Sequence, residues 1–130
     1  MKERVTVLII AKPGQVRDGL RALLHAMPGV DVVDRPCDGM INADLLAEYN
    51  PALILVDCRL VDMRTLDALR RLKTQNPGVC FLILVEDVEQ QQLAQDTGFE
   101  HVMIKGSSAE KLAKTVRELL THKSKVGRSE

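Results

Sequence analysis

The 130-residue sequence predicts a doubly wound α/β domain in which five strand–helix units form a five-stranded parallel sheet with helices on both faces, three layers in all. Three observations carry this. Apolar runs with no polar face recur along the chain: VTVLIIA (Val5–Ala11), ALILV (52–56) and VCFLILV (79–85). Such runs suit strands buried on both sides. Between them, apolar residues fall at helical spacing, and the segments are separated by Pro, Gly and Asn breakers.

In order, the first strand ends at Lys12-Pro13-Gly14. Val16, Leu20, Leu23, Leu24 and Met27 then mark one face of a helix, stopped by Pro28-Gly29. Residues 30–33 form a short second strand. Ile41, Leu45, Leu46 and Tyr49 define the second helix, closed by Asn50-Pro51. The third strand, 52–56, ends on Asp57. A loop, 58–63, leads to a third helix carrying Leu66, Leu69 and Leu72, with Asn76-Pro77-Gly78 as its stop. The fourth strand is 79–85. Glu86-Asp87 opens a Gln-rich fourth helix ending at Gly98, the least apolar of the set and therefore the least tightly packed. Residues 101–104 form the fifth strand. Ser107 and Glu110 make an S-x-x-E capping box for the last helix, whose buried side is Leu112, Val116, Leu119 and Leu120. The domain is expected to span residues 1–120, with 121–130 (THKSKVGRSE) a flexible tail or linker stub.

Composition narrows the function. Two Phe, one Tyr and no Trp leave no stacking platform for bases or sugars and little to line a deep apolar pocket. Acids and bases balance at 18 each, so no overall field favours nucleic acid or an anionic membrane. The expectation is a cytoplasmic domain that itself binds neither: no apolar run approaches the ~20 residues of a membrane span, and Val5–Ala11 is too short for a signal-peptide core. Cys37, Cys58 and Cys80 lack metal or C-x-x-C spacing and read as reduced thiols. His25, His101 and His122 are far apart and read as surface residues. Arg70, Arg71 and Lys73 read as the solvated face of the third helix.

In open parallel sheets, ligands bind beyond the carboxyl ends of the strands. Ala11-Lys12, Asp57, Val85-Glu86 and Lys105 stand there. The turn after the first strand has one Gly and a Pro, which argues against a dinucleotide or flavin-phosphate loop. The hydrolase elbow G-x-S-x-G is absent.

Three stretches, LIIAKPGQVRDGLRALL, PALILVDCRLVDM and HVMIKGSSAEKLAKTV, resemble the receiver domain of bacterial two-component response regulators, in the style of those preceding a helix-turn-helix domain. The resemblance covers residues 4–120 and implies a flavodoxin-like fold. It also implies that Asp57 is the phosphoacceptor, attacking a phosphohistidine on a partner kinase with magnesium offsetting charge. Lys105 is then the cation that pairs with the phosphoryl group.

Other positions depart from the family pattern. Ala11 and Lys12 stand where an acidic pair holds the metal. Val85 replaces the Ser or Thr ending strand four, Glu86 a small residue, Val102 an aromatic switch residue and Val61 a loop proline. Magnesium needs an octahedral shell of oxygens. No cofactor or metal is therefore expected; a bound magnesium would use Asp57 and the backbone carbonyl of Arg59. The expectation is a non-enzymatic, degenerate receiver in which Lys12, Asp57 and Lys105 form a fixed ion cluster, Lys12 replacing the metal. It would act through protein contact with a histidine kinase or an output domain. A homodimer could form through the face of helix four, strand five and helix five, whose candidate exposed residues are Gln90, Gln91, Gln95, Lys111, Lys114 and Arg117. The alternative is a competent phosphoacceptor with magnesium, Glu86 or Asp87 supplying the missing carboxylate. A more remote one is an unrelated flavodoxin-like ligand binder.

Overall fold

A computed structural model describes residues 4–11, 14–35, 43–57, 63–106 and 109–129. The elements alternate as β1 (Val5–Ala11), α1 (Gln15–His25), β2 (Val30–Arg35), α2 (Ala43–Tyr49), β3 (Leu53–Asp57), α3 (Met63–Gln75), β4 (Cys80–Val85), α4 (Val88–Thr97), β5 (Val102–Ile104) and α5 (Ala109–Ser129). All strand pairs are parallel, in the order β2-β1-β3-β4-β5. This is the doubly wound flavodoxin-like sheet that the alternation of apolar runs and amphipathic helices predicts.

The uninterrupted apolar runs are explained by two cores. Val7, Ile9, Leu53, Leu55, Leu82 and Leu84 face α1 and α5, whose Leu20, Leu24, Ala113 and Val116 cover them. The intervening Leu8, Ile10, Ile54, Val56, Phe81 and Ile83 face α2, α3 and α4. Alternate residues thus enter opposite layers, so β1, β3 and β4 have no side to give to water. Both phenylalanines are spent in the second core, where Phe81 and Phe99 lie tilted with ring centroids 6.1 Å apart.

Local signals end the elements. Asn50 takes a left-handed φ of 47° after α2, and Gly98 a φ of 116° after α4. Asp87 caps α4 by accepting a hydrogen bond from the Gln90 amide at 2.9 Å, and the Gln90 side chain accepts in return from the Glu86 amide at 2.9 Å. α4 contributes Ala94 as its buried residue, with Leu93 half-buried, while Val88 is 67% exposed. The weak packing expected of this helix matches that pattern.

Some boundaries differ from expectation. β2 continues two residues further, because Asp34 and Arg35 still pair with Ile9 and Ile10 through the main chain. α5 runs on to Ser129, beyond residue 120 where the apolar spacing stops. Residues 121–129 contain no Pro to break the helix, and α5 continues through them. Gln90, expected on an exposed face, is half-buried and committed to the α4 cap, and Gln91 is half-buried as well. Lys12, Cys37, Ile41, Cys58, Arg59, Val61 and Ser107 lie outside the described residues.

Candidate functional site

The strand order reverses between β1 and β3, which places the ligand crevice of such a sheet above their carboxyl ends. Asp57 is the last residue of β3 and lies opposite Ala11, the last residue of β1. Its parity with Leu53 and Leu55 turns it toward the α1/α5 layer. It is the charged residue buried among the described ones, at 5% exposure.

Lys105 follows β5. Its amide donates to the Val85 carbonyl at 2.7 Å, which holds the backbone against β4. Its side chain has the parity of Met103 and so turns to the same layer as Asp57. β4 separates β3 from β5, so the two ends are about two strand spacings, roughly 10 Å, apart. The long lysine side chain spans that gap. Its ammonium lies 2.6 Å from Asp57 Oδ1 and 2.9 Å from Glu86 Oε2. Glu86 sits just past the end of β4, between the two, and reaches the ammonium from above.

The contacts differ in kind. Lys105 donates a hydrogen bond to Glu86 Oε2. Asp57 Oδ1 has no directed hydrogen bond among the described residues, so the ammonium meets it as a close charge contact. Burial opposes the charge on Lys105, but Asp57 and Glu86 outweigh it and hold the lysine pKa above its ordinary value. With two carboxylates around one ammonium the trio carries a formal charge of −1. In this state the Asp57 carboxylate is occupied by the cation.

Val85 and Val102 face the other layer. Val85 is fully buried in the core under α3 and α4, and Val102 packs against that core. Neither offers a hydroxyl or a ring to the charged cluster.

The described residues do not fit magnesium. Among them no three His, Cys, Asp or Glu side chains gather into a metal-binding group. The methyl group of Ala11 lies across from Asp57, where a second donor is needed. The expected cluster of Lys12, Asp57 and Lys105 is therefore described for Asp57 and Lys105, and Glu86 joins them. The sequence alone marks Glu86 only as the replacement of a small residue or as a source of the missing carboxylate. The signal for its pairing is an acid directly after one strand and a lysine directly after the next.

A second feature lies beside the trio. A cleft of about 330 Å³ opens between α1 and α5, with Leu84 and Met103 in its floor and Lys105 at one end. Aliphatic side chains line this half-open cleft, in keeping with the shortage of aromatic residues.

Comparison with known proteins agrees with this fold. The family model described as "Response regulator receiver domain" matches residues 7–117. The chain is similar to the response regulator protein VraR of Staphylococcus saprophyticus, at 26% identity over 92% of this chain and 58% of the relative. It is similar to the nitrate/nitrite response regulator protein NarP of Escherichia coli, at 31% identity over 85% of this chain and 53% of the relative. It thus spans about half the length of these curated relatives. Protein-glutamate methylesterases, such as one from Geobacter metallireducens, match over smaller shares, here 26% of the relative at 30% identity. Among solved structures, a CheY-like receiver domain protein from Methanospirillum hungatei superposes with TM-score 0.77 at 18% identity, covering 95% of this chain and 98% of that one. A LuxR family DNA-binding response regulator from Silicibacter pomeroyi gives TM-score 0.71 at 25% identity, covering 91% and 93%.

Proposed function

This chain belongs to the response regulator receiver domain family, and from that premise we propose that it is an atypical receiver whose charged site is closed on itself and which signals by protein contact. The observation that carries the proposal is the Lys105 ammonium held between Asp57 at 2.6 Å and Glu86 at 2.9 Å. In a phosphorylated receiver the lysine would face a phosphoryl oxygen. Here the Glu86 carboxylate occupies that role as a permanent anion. Ala11 opposite Asp57 and Val85 at the end of β4 supply neither a metal donor nor a hydroxyl. The site residues are thus Asp57 at the phosphoacceptor position, Lys105 as its cation, Glu86 as the internal anion and Val85 and Val102 at the switch positions.

The same reading makes the domain a non-enzymatic, cytoplasmic module without a resident metal. Among the described residues no helix is long and apolar enough to cross a membrane. The partners are a histidine kinase or an output domain, and a second copy could pair through α4, β5 and α5. Gln95, Lys111, Lys114 and Arg117 are exposed on those helices, and the exposed Val88 at the start of α4 gives that face an apolar anchor. The signalling domain proper is assigned to residues 1–120, with 121–130 leading away from it.

Incubation with acetyl phosphate and magnesium, followed by intact-mass measurement, tests the proposal. No phosphoryl adduct is expected. A stoichiometric adduct that disappears in Asp57→Asn would overturn it. It would instead support the second reading, a competent phosphoacceptor, which the placing of an aspartate and a lysine together at the carboxyl edge of the sheet favours.

A further inference from the structure

We propose that the cleft between α1 and α5 binds a small amphipathic carboxylate, with its alkyl part over Leu84 and Met103 and its head group on the Lys105 ammonium. The cleft measures about 330 Å³, at the lower end of small-molecule sites. Its lining is graded. Leu23, two turns into α1, closes the apolar end, while Gln15 and Lys105 stand at the other, on the carboxyl edge of the sheet, with Leu112 in the first turn of α5 beside them. Among the described lining residues, Lys105 carries the charge, and an anionic head group would reach it by exchange with Glu86, which leaves the formal charge around the ammonium at −1.

Gly19 is the second, independent observation. It lies inside α1, where glycine weakens a helix, and it lines the cleft. A Cβ built there would meet nothing within 4 Å, so no close approach of the backbone calls for glycine. What its missing side chain does is leave the cleft open along the Gln15, Gly19, Leu23 ridge of α1.

Lys105 can accept such a head group without abandoning Asp57. Asp57 is 5% exposed and fixed, whereas the Glu86 side chain is 45% exposed. A ligand carboxylate would displace the solvated Glu86 and keep the buried contact intact. The cleft and the charged trio are thereby coupled through one ammonium. The proposal rests on the cleft and on Lys105, and it is independent of whether Asp57 is ever phosphorylated.

Calorimetric titration of the full chain with decanoate, against decanol and decylammonium, tests it. Saturable binding at one site is expected for decanoate, with the alcohol and the amine about tenfold weaker or worse. Glu86→Gln should tighten decanoate binding by removing the competitor. Gly19→Leu should abolish binding, and Gly19→Ala, which strengthens the helix, should weaken it while the fold persists. Binding that is unchanged in both Gly19 variants, or equal for all three head groups, would overturn the proposal, as would no saturable binding of decanoate. The acetyl phosphate experiment reads a different outcome, so the two proposals can fail separately.

Discussion

Lys105 and Asp57 follow or end strands that do not touch, yet their side chains meet at 2.6 Å across the end of the strand between them. The contact ties β5 to β3 over β4. It also neutralises the buried charge of Asp57. Replacing one partner and replacing both should therefore differ in effect. Lys105→Met strands a buried carboxylate and should lower unfolding free energy by about 3 kcal/mol. The double variant Asp57→Asn with Lys105→Met should recover most of that loss. Urea denaturation of the three proteins measures the difference; equal losses in single and double variants would count against the pair.

Alkaline pH should weaken the domain through the same lysine. Its folded pKa is raised above the unfolded value. Its contribution is then complete below about pH 10.4, the unfolded lysine value, and is lost as pH rises through the higher folded one. Denaturation midpoints between about pH 9 and 11.5 should fall more steeply in the wild type than in Lys105→Met. Glu86→Gln should lower the folded value, so the fall should begin at the same pH, end at a lower one and be smaller. Because Glu86 is close to half exposed, its neutral-pH cost should stay under about 1 kcal/mol.

The cap of α4 should matter beyond its own helix. Asp87→Ala removes the acceptor for the Gln90 amide and should cost about 1 kcal/mol, with Asp87→Asn close to neutral. Gln90→Ala leaves the Asp87 cap but frees the Glu86 amide. Hydrogen exchange should then quicken at Glu86, and the alkaline behaviour of Lys105 should move toward that of Glu86→Gln. Unchanged exchange there would show that the cap does not hold Glu86.

Gly19→Ala should stabilise the protein by about 0.5–1 kcal/mol, since position 19 is exposed in a helix interior and the added methyl group meets open space. Thermal unfolding measures it. A loss of stability would mean that α1 needs the glycine for a reason other than the cleft.

The fold was largely legible because its strongest signals are local. VTVLIIA and VCFLILV have no polar face, so each had to be a strand covered on both sides, and Asp57 at the end of LILVD had to stand on the carboxyl edge. β2 was shortened because its last two residues are Asp34 and Arg35. Main-chain pairing with β1 holds them regardless of side-chain polarity. The Glu86–Lys105 pair was missed for a different reason. It depends on β4 lying between β3 and β5, a fact of sheet order that no local pattern contains. The cleft was missed in the same way: Gly19 is visible in the sequence, but its meaning needs the position of α5.

Val85 and Glu86 are neighbours in the chain, yet Val85 is buried under α3 and α4 while Glu86 reaches over to Lys105, which turns toward α1 and α5. That one peptide joins the two helical layers at the rim of the sheet. α4 begins immediately after it and is lightly anchored. Pulling Glu86 away from the ammonium would therefore act like lifting a latch: the near end of α4 would gain freedom while the sheet beneath stayed rigid. A domain built this way can loosen a single helix at its charged edge with no rearrangement of either core.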